Sequence, residues 1–474
     1  MNQALPMIIG RERRDSETRI EVRSPYDGKP VGSVAAGTAR DLDDAVAAAG
    51  EVLAAGPLPT HQRAEILDRA AVTIASRAEE LARVLSRESA KPIATARGEV
   101  TRAVDTMRFS AAVARTLGGE LIPMDASSAG VGKMGFVQRR PIGVVAAISP
   151  FNFPLNLVCH KVGPAIAAGC PVVLKPASAT PLSALALADI LTDDCGLPPG
   201  WLNVVPCPGS VAEHLVVHPD VAMITFTGSP EVGWDIRARA PRKKVSLELG
   251  NNSPVIVEAD SDWEGAAARI KVAGYSYAGQ SCISTQRVYV NREIFEPFTD
   301  RLREEVESLI VGDPADEATD VSALIDPAET ERVSRWIDRA VADGAEIVTG
   351  GRPGPDGVLR PTVLSGVTPE MDVCRREVFG PVVSVIGYDD LDEALNLANE
   401  GDYGLQAAIF TGDLAKALRA VEVLEYGGVL VNETPTWRAD HMPYGGVGDS
   451  GNTREGPAYA AREMTVEKLV VIQP

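Results

Sequence analysis

No apolar run in this sequence reaches the roughly 18 residues that a membrane-spanning helix needs. Positive charge is in deficit. The chain has 46 Lys and Arg against 65 Asp and Glu, a formal net charge of −19. That balance argues against nucleic acid or an anionic membrane as a partner. None of the six cysteines stands in a CxxC pair, and none clusters at zinc-ligand spacing. No metal is expected, and the thiols read as reduced. Near the N-terminus a short apolar stretch precedes Arg11, Arg13 and Arg14, the wrong order for a secretory leader. A cytoplasmic location is the expectation. Internal repeats, low-complexity segments and a GxGxxG fingerprint are also missing.

At 474 residues the chain is too long for one core, so two or three domains are expected. A content of 45% hydrophobic and 23% charged residues is ordinary for a soluble protein. Residues 41–115 are Ala-rich and read as amphipathic helices. From Pro141 short apolar runs alternate with helical stretches, at residues 144–148, 171–175, 202–205, 223–226 and 244–247. This pattern predicts a doubly wound α/β unit. A second such unit has strand candidates at 255–257, 287–290, 382–386 and 428–431. Ligands of such sheets bind beyond the strand C-termini. The segments 120–139 and 464–472 fit neither unit.

Three segments suggest chemistry. Gly279-Gln280-Ser281-Cys282 presents one cysteine among small and polar neighbours. A free cysteine is more often packed in a core, but these neighbours are poor core material. Asn152 lies in Ser149-Pro150-Phe151-Asn152-Phe153-Pro154, where a turn or helix cap is the plainer reading. Glu248 sits between Leu247 and Leu249, an apolar setting unusual for a surface carboxylate. A thiolate, an amide donor and a carboxylate base are what oxidation of an aldehyde through a thioester needs.

Together these segments resemble the aldehyde dehydrogenase superfamily over nearly the whole chain. The resemblance implies two Rossmann-like domains plus a small bridging sheet. It divides the chain into a cofactor domain (1–119 and 141–247), a catalytic domain (248–427) and bridging elements (120–140 and 428–474). It implies Cys282 as nucleophile, Asn152 as oxyanion donor, Glu248 as base, and NAD or NADP as hydride acceptor. The cofactor residues it assigns are Ser149, Pro150, Phe151, Lys175, Ser178, Gly209, Phe226, Gly228, Ser229, Gly233, Leu249, Glu377 and Phe379. Ser178 stands where strongly NAD-selective relatives often carry Glu, and a serine there does not repel a 2′-phosphate. Asn251 departs from the Gly or Ser usual after Gly250. The string Pro-Thr-Trp-Arg-Ala-Asp-His-Met-Pro-Tyr-Gly-Gly at 435–446 is similar to a branch acting on lactaldehyde and small anionic aldehydes. Arg102, Arg108, His160, Arg438 and His441 are the candidate substrate contacts. The expected partner is a short aldehyde, and a homodimer or homotetramer is implied. A coenzyme A-acylating route and a non-catalytic binding role remain as alternatives.

Overall fold

The computed structural model describes residues 4–474. Two seven-stranded sheets dominate it. In the first, Val144–Ile148 is central and buried along all five residues. A parallel strand covered on both faces favours such an unbroken apolar run. The chain then adds Val172–Lys175 and Leu202–Val204 on one side, and returns to add Val221–Thr227 and Lys244–Glu248 on the other. All of these pairings are parallel. The order reverses between Val144–Ile148 and Val221–Thr227, so a crevice opens at their C-terminal ends.

The second sheet repeats this plan. Ser253–Val257 lies between Thr285–Asn291 and Gln406–Phe410, with Val382–Tyr388 and Thr362–Ser365 continuing outward on one side. Separate apolar clusters pack on the faces of each sheet. A three-stranded antiparallel sheet joins Thr465–Ile472, Met134–Pro141 and Leu121–Ile122. The fold is the α/β architecture expected from the sequence.

Two buried carboxylates from the helical segment brace the first sheet. Glu99 accepts from the backbone N–H groups of Leu155 (2.9 Å) and Asn156 (3.1 Å), at the start of helix Asn156–Ala168. Glu88 does the same for Leu182 and Ser183, ahead of helix Leu182–Asp189. A carboxylate there satisfies orphan donors and meets the positive end of the helix dipole.

Several expectations need correction. The boundary at 428 cuts off Gly428–Val431, which is the edge strand of the second sheet, paired with Gln406–Phe410. Only the later part of 428–474 reaches the three-stranded sheet. The N-terminal apolar stretch, whose first three residues lie outside the described residues, forms Met7–Ile9 and extends the first sheet antiparallel to Leu202–Val204. Asn152 lies just ahead of helix Asn156–Ala168, which carries His160. No helix among the described residues is long and apolar enough to cross a membrane.

Candidate active site

Cys282 is delivered by a strained turn. After helix Trp263–Tyr275, Tyr277 (φ 51°), Ala278 (φ 53°) and Gly279 (φ 72°) are consecutively left-handed. Such a conformation costs a non-glycine residue about 1–3 kcal/mol and persists only where the surroundings enforce it. Here Tyr277 is buried and donates to the Ser89 carbonyl at 3.0 Å. A Cβ on Gly279 would stand 2.2 Å from the Gly380 carbonyl oxygen, so glycine is required there. The Gln280 side chain locks the exit, accepting from Ile325 N–H at 2.9 Å. Cys282 is half-buried, with its Sγ 2.8 Å from Tyr444 Oη. Burial pushes its thiol up to about 12, against the opposing hydrogen bond with Tyr444.

Asn152 meets this turn from the first domain. Its Nδ2 donates to the Gln280 carbonyl at 3.0 Å, while its Oδ1 is buried without a partner. Its backbone carbonyl accepts from Lys91 Nζ at 2.7 Å. Lys91 is fully buried, paired with Glu99, and 3.9 Å from the Phe153 ring centroid. Glu248 ends strand Lys244–Glu248, and both its carboxylate oxygens are buried and unpartnered. Burial, and then the neighbouring Glu455, push its carboxyl well above the usual range. A thiol, an amide and a carboxyl from distant segments are thus neighbours, a set able to support nucleophilic chemistry.

Behind Cys282 lies a buried charge network. Arg438 stacks 3.8 Å over the Tyr444 ring and donates to Glu455 at 3.1 Å. Lys161 lies 3.6 Å from Glu455 and donates to Thr227 Oγ1 at 2.7 Å. His160 Nε2 bonds Asp440 at 2.9 Å, and Arg102 reaches the same carboxylate at 2.9 Å. Burial, then Arg438, lower the His160 pKa, so the imidazole is neutral. Burial opposes ionisation of Asp440, but His160 and Arg102 hold it well below the usual range. Arg438 Nε and His160 Nδ1 are buried without partners. Of this network, sequence reading found Arg102, His160, Arg438 and Glu248, and missed Lys161, Asp440, Tyr444 and Glu455.

The crevice between the sheets is a cavity of about 590 Å³ that runs to Cys282 and Asn152. Ser149, Pro150, Phe151, Lys175, Ser178, Phe226, Gly228, Ser229, Leu249, Glu377 and Phe379 all line it. Arg332, Trp336, Arg376 and Tyr403 also line it and carried no motif. Its shape suits a nucleotide at a helix start. Ser229 caps helix Pro230–Arg239, leaving N-terminal N–H groups that favour a phosphate. A Cβ on Gly228 would meet the Phe226 ring at 2.4 Å, and one on Gly233 would meet Leu249 at 2.4 Å. The Phe151 and Phe379 rings meet edge-on at 5.8 Å. Ser178 Oγ donates to the Cys207 carbonyl at 3.1 Å, and no carboxylate takes its place. Burial raises Glu377 to about 8, although it accepts from Asn251 N–H.

Other expected residues lie elsewhere. Gly233 packs under Leu249 without lining the cavity, and Gly209 starts helix Gly209–Val217 with open space around it. Arg108 is exposed and pairs with Asp105 at 3.4 Å. His441 is exposed and packs on Phe109 at 4.7 Å. Separately, Asp43, His214 and His218 converge on the first domain. There His218 Nδ1 accepts the Asp220 N–H, so Nε2 carries the proton, 3.2 Å from Asp43. That tautomer offers a cation no lone pair from His218 Nε2.

Residues 12–470 match the profile of the Aldehyde dehydrogenase family. A 3-sulfolactaldehyde dehydrogenase of Priestia aryabhattai is 46% identical over 468 residues, covering 98% of this chain and 97% of that one. Aldehyde dehydrogenase 21 of Physcomitrella patens, solved in complex with the reaction product succinate, superposes with a TM-score of 0.96 at 39% identity. That match covers 100% of this chain and 98% of the other. An NADP-dependent glyceraldehyde-3-phosphate dehydrogenase of Bacillus halodurans, complexed with NADP, gives a TM-score of 0.96 at 36% identity, covering 99% of each chain.

Proposed function

The chain belongs to the aldehyde dehydrogenase family of NAD(P)-dependent oxidoreductases acting on aldehydes, and on that premise we propose that it oxidises a short hydroxy-aldehyde bearing an anionic group to its carboxylate. Cys282 ionises, its proton passing to solvent, and the thiolate attacks the aldehyde carbon, forming a thiohemiacetal. Asn152 Nδ2, with the Cys282 backbone N–H, stabilises the oxyanion, a contribution of about 3 kcal/mol. NAD(P) held in the crevice by Lys175, Ser229, Glu377 and Phe379 would supply the hydride acceptor. Glu248 then takes a proton from water as the water attacks the thioester, releasing the acid and the Cys282 sulfur. Because burial holds the Glu248 carboxyl above its ordinary range, the hydrolytic rate is expected to rise with pH as that proton leaves. A coenzyme A-acylating route needs no base for water, so Glu248 favours hydrolysis.

The substrate reading rests on the charge balance around His160. Arg102, Lys161 and Arg438 face only two held carboxylates, Asp440 and Glu455, with Glu248 kept neutral by burial. One positive charge is uncompensated, and an anionic substrate would balance it. The unpartnered Arg438 Nε–H suits an anionic oxygen. His160 Nε2 lies against Asp440 at 2.9 Å and the Arg438 guanidinium at 3.2 Å, which leaves the unpartnered Nδ1 of the neutral ring for a substrate hydroxyl. The sulfonate and hydroxyl of the substrate named for the Priestia relative fit that pair. Ser178 makes use of NADP as well as NAD the expected pattern. Exposed Leu469, Val471 and Ile472 on Thr465–Ile472 support a homodimer or homotetramer.

Formation of NADH and NADPH on a panel of lactaldehyde, glycolaldehyde, 3-sulfolactaldehyde, succinic semialdehyde and phosphonoacetaldehyde tests this, with Cys282→Ala as control. The expected result is turnover that prefers the anionic hydroxy-aldehyde and vanishes in the control. Equal kcat/KM for neutral and anionic aldehydes would overturn the substrate reading. Turnover surviving in the control would overturn the mechanism.

A further inference from the structure

We propose that Tyr444 is a catalytic residue whose phenol O–H donates to the Cys282 sulfur and stabilises the thiolate before attack. The inference rests on Cys282 being the nucleophile. The contact is 2.8 Å, and either atom can donate while the sulfur is a thiol. Once the sulfur is ionised only the phenol has a proton to give. The other charged or titratable groups facing Cys282 are Glu248 from the first sheet, Glu377 ahead of Val382–Tyr388, and Arg438. Both carboxyls oppose a thiolate, and Asn152 spends its resting contact on Gln280. Arg438 favours the thiolate by its charge, and the phenol is the neighbour placed to hydrogen-bond a buried sulfur anion.

Three features fit Tyr444 for this role. It is buried with Ile283 and Leu405 in a small apolar cluster that also contacts Cys282 and Met442, so the hydroxyl is held in place. Burial keeps the phenol protonated, with its pKa well above the ordinary value. The Arg438 guanidinium lies over the ring face, drawing electron density from it and strengthening the O–H as a donor. The phenol keeps its proton throughout; the proton lost from sulfur goes to solvent.

The test is the pH dependence of Cys282 alkylation by iodoacetamide in the wild type and in Tyr444→Phe. Phenylalanine keeps the ring under Arg438, and unchanged melting temperature and nucleotide binding verify the fold. A hydrogen bond to a charged acceptor is worth about 10- to 100-fold in the thiolate equilibrium. The variant is expected to react about 10- to 100-fold more slowly near neutral pH, with the gap closing as pH rises and both sulfurs ionise. The acid limb of kcat/KM should move upward in parallel. An unmoved alkylation profile would overturn the proposal. If the variant does not fold, wild-type protein labelled with a more acidic fluorotyrosine carries the test. Its alkylation profile should move to lower pH, and no movement would overturn the proposal. Alkylation needs no turnover. A wild type inactive on every aldehyde but with a Tyr444-dependent profile would refute only the proposed reaction.

Discussion

The cofactor side and the aldehyde side of Cys282 are built on opposite principles. The cofactor side is an open cavity of about 590 Å³ shaped by glycines, aromatic rings and one helix start. Its key positions are local to strand ends. The proposed aldehyde side is dense with charge: Asp440, His160, Arg438, Glu455, Lys161 and Glu248 are buried, and the partly exposed Arg102 pairs with Asp440. The first can be reshaped one residue at a time. In the second most charges are paired with another, so a single change leaves a buried partner unpaired.

The largest effect expected from breaking this contrast is on stability. Arg438→Met strips Glu455 of a close cation and should destabilise the protein by about 3–5 kcal/mol, read by denaturant unfolding. A loss under about 1 kcal/mol would show that the network is not tightly coupled. Next, Asn152→Ala should lower kcat by about 100- to 1000-fold while nucleotide affinity stays unchanged in a binding titration. A change confined to nucleotide affinity would move Asn152 to the cofactor side. On that side, Ser178→Glu should raise the KM for NADP about tenfold or more and leave that for NAD nearly unchanged, because the carboxylate repels only the 2′-phosphate. Equal shifts would place the 2′-position elsewhere. Smallest of all, Arg108→Ala should change stability by less than about 0.5 kcal/mol and leave the anionic-to-neutral kcat/KM ratio unmoved, since the side chain faces solvent. A fall in that ratio would return Arg108 to the substrate site.

The same contrast explains what was legible in the sequence. Strands such as Val144–Ile148 are unbroken apolar runs and could be read directly. Gln406–Phe410 was missed because its short run of alanines carries no β-branched signal before Ile409. Local pattern did mark Gly428–Val431 as a strand of the second unit, but the boundary taken from the resemblance cut it off from the sheet in which it pairs with Gln406–Phe410. Cys282, Asn152, Glu248 and most cofactor residues lie in compact strings at strand ends or turns. The charge network depends on contacts between residues such as Arg102 and Asp440, 338 positions apart, or His160 and Asp440, 280 apart. Lys91 and Glu99 act through the backbone of the Asn152 segment, which no local motif reveals. Arg108 was chosen for its charge, and the helix turns it outward.

The most direct test of the covalent route is a single-turnover experiment on Glu248→Gln. Rapid mixing with aldehyde and nucleotide would be followed by intact mass and peptide mapping. The expected result is about one equivalent of reduced nicotinamide per site and an acyl adduct held on Cys282, because the thioester forms and water is not activated. Reduced nicotinamide without any adduct on Cys282, or undiminished steady turnover in the variant, would contradict the assignment of nucleophile and base.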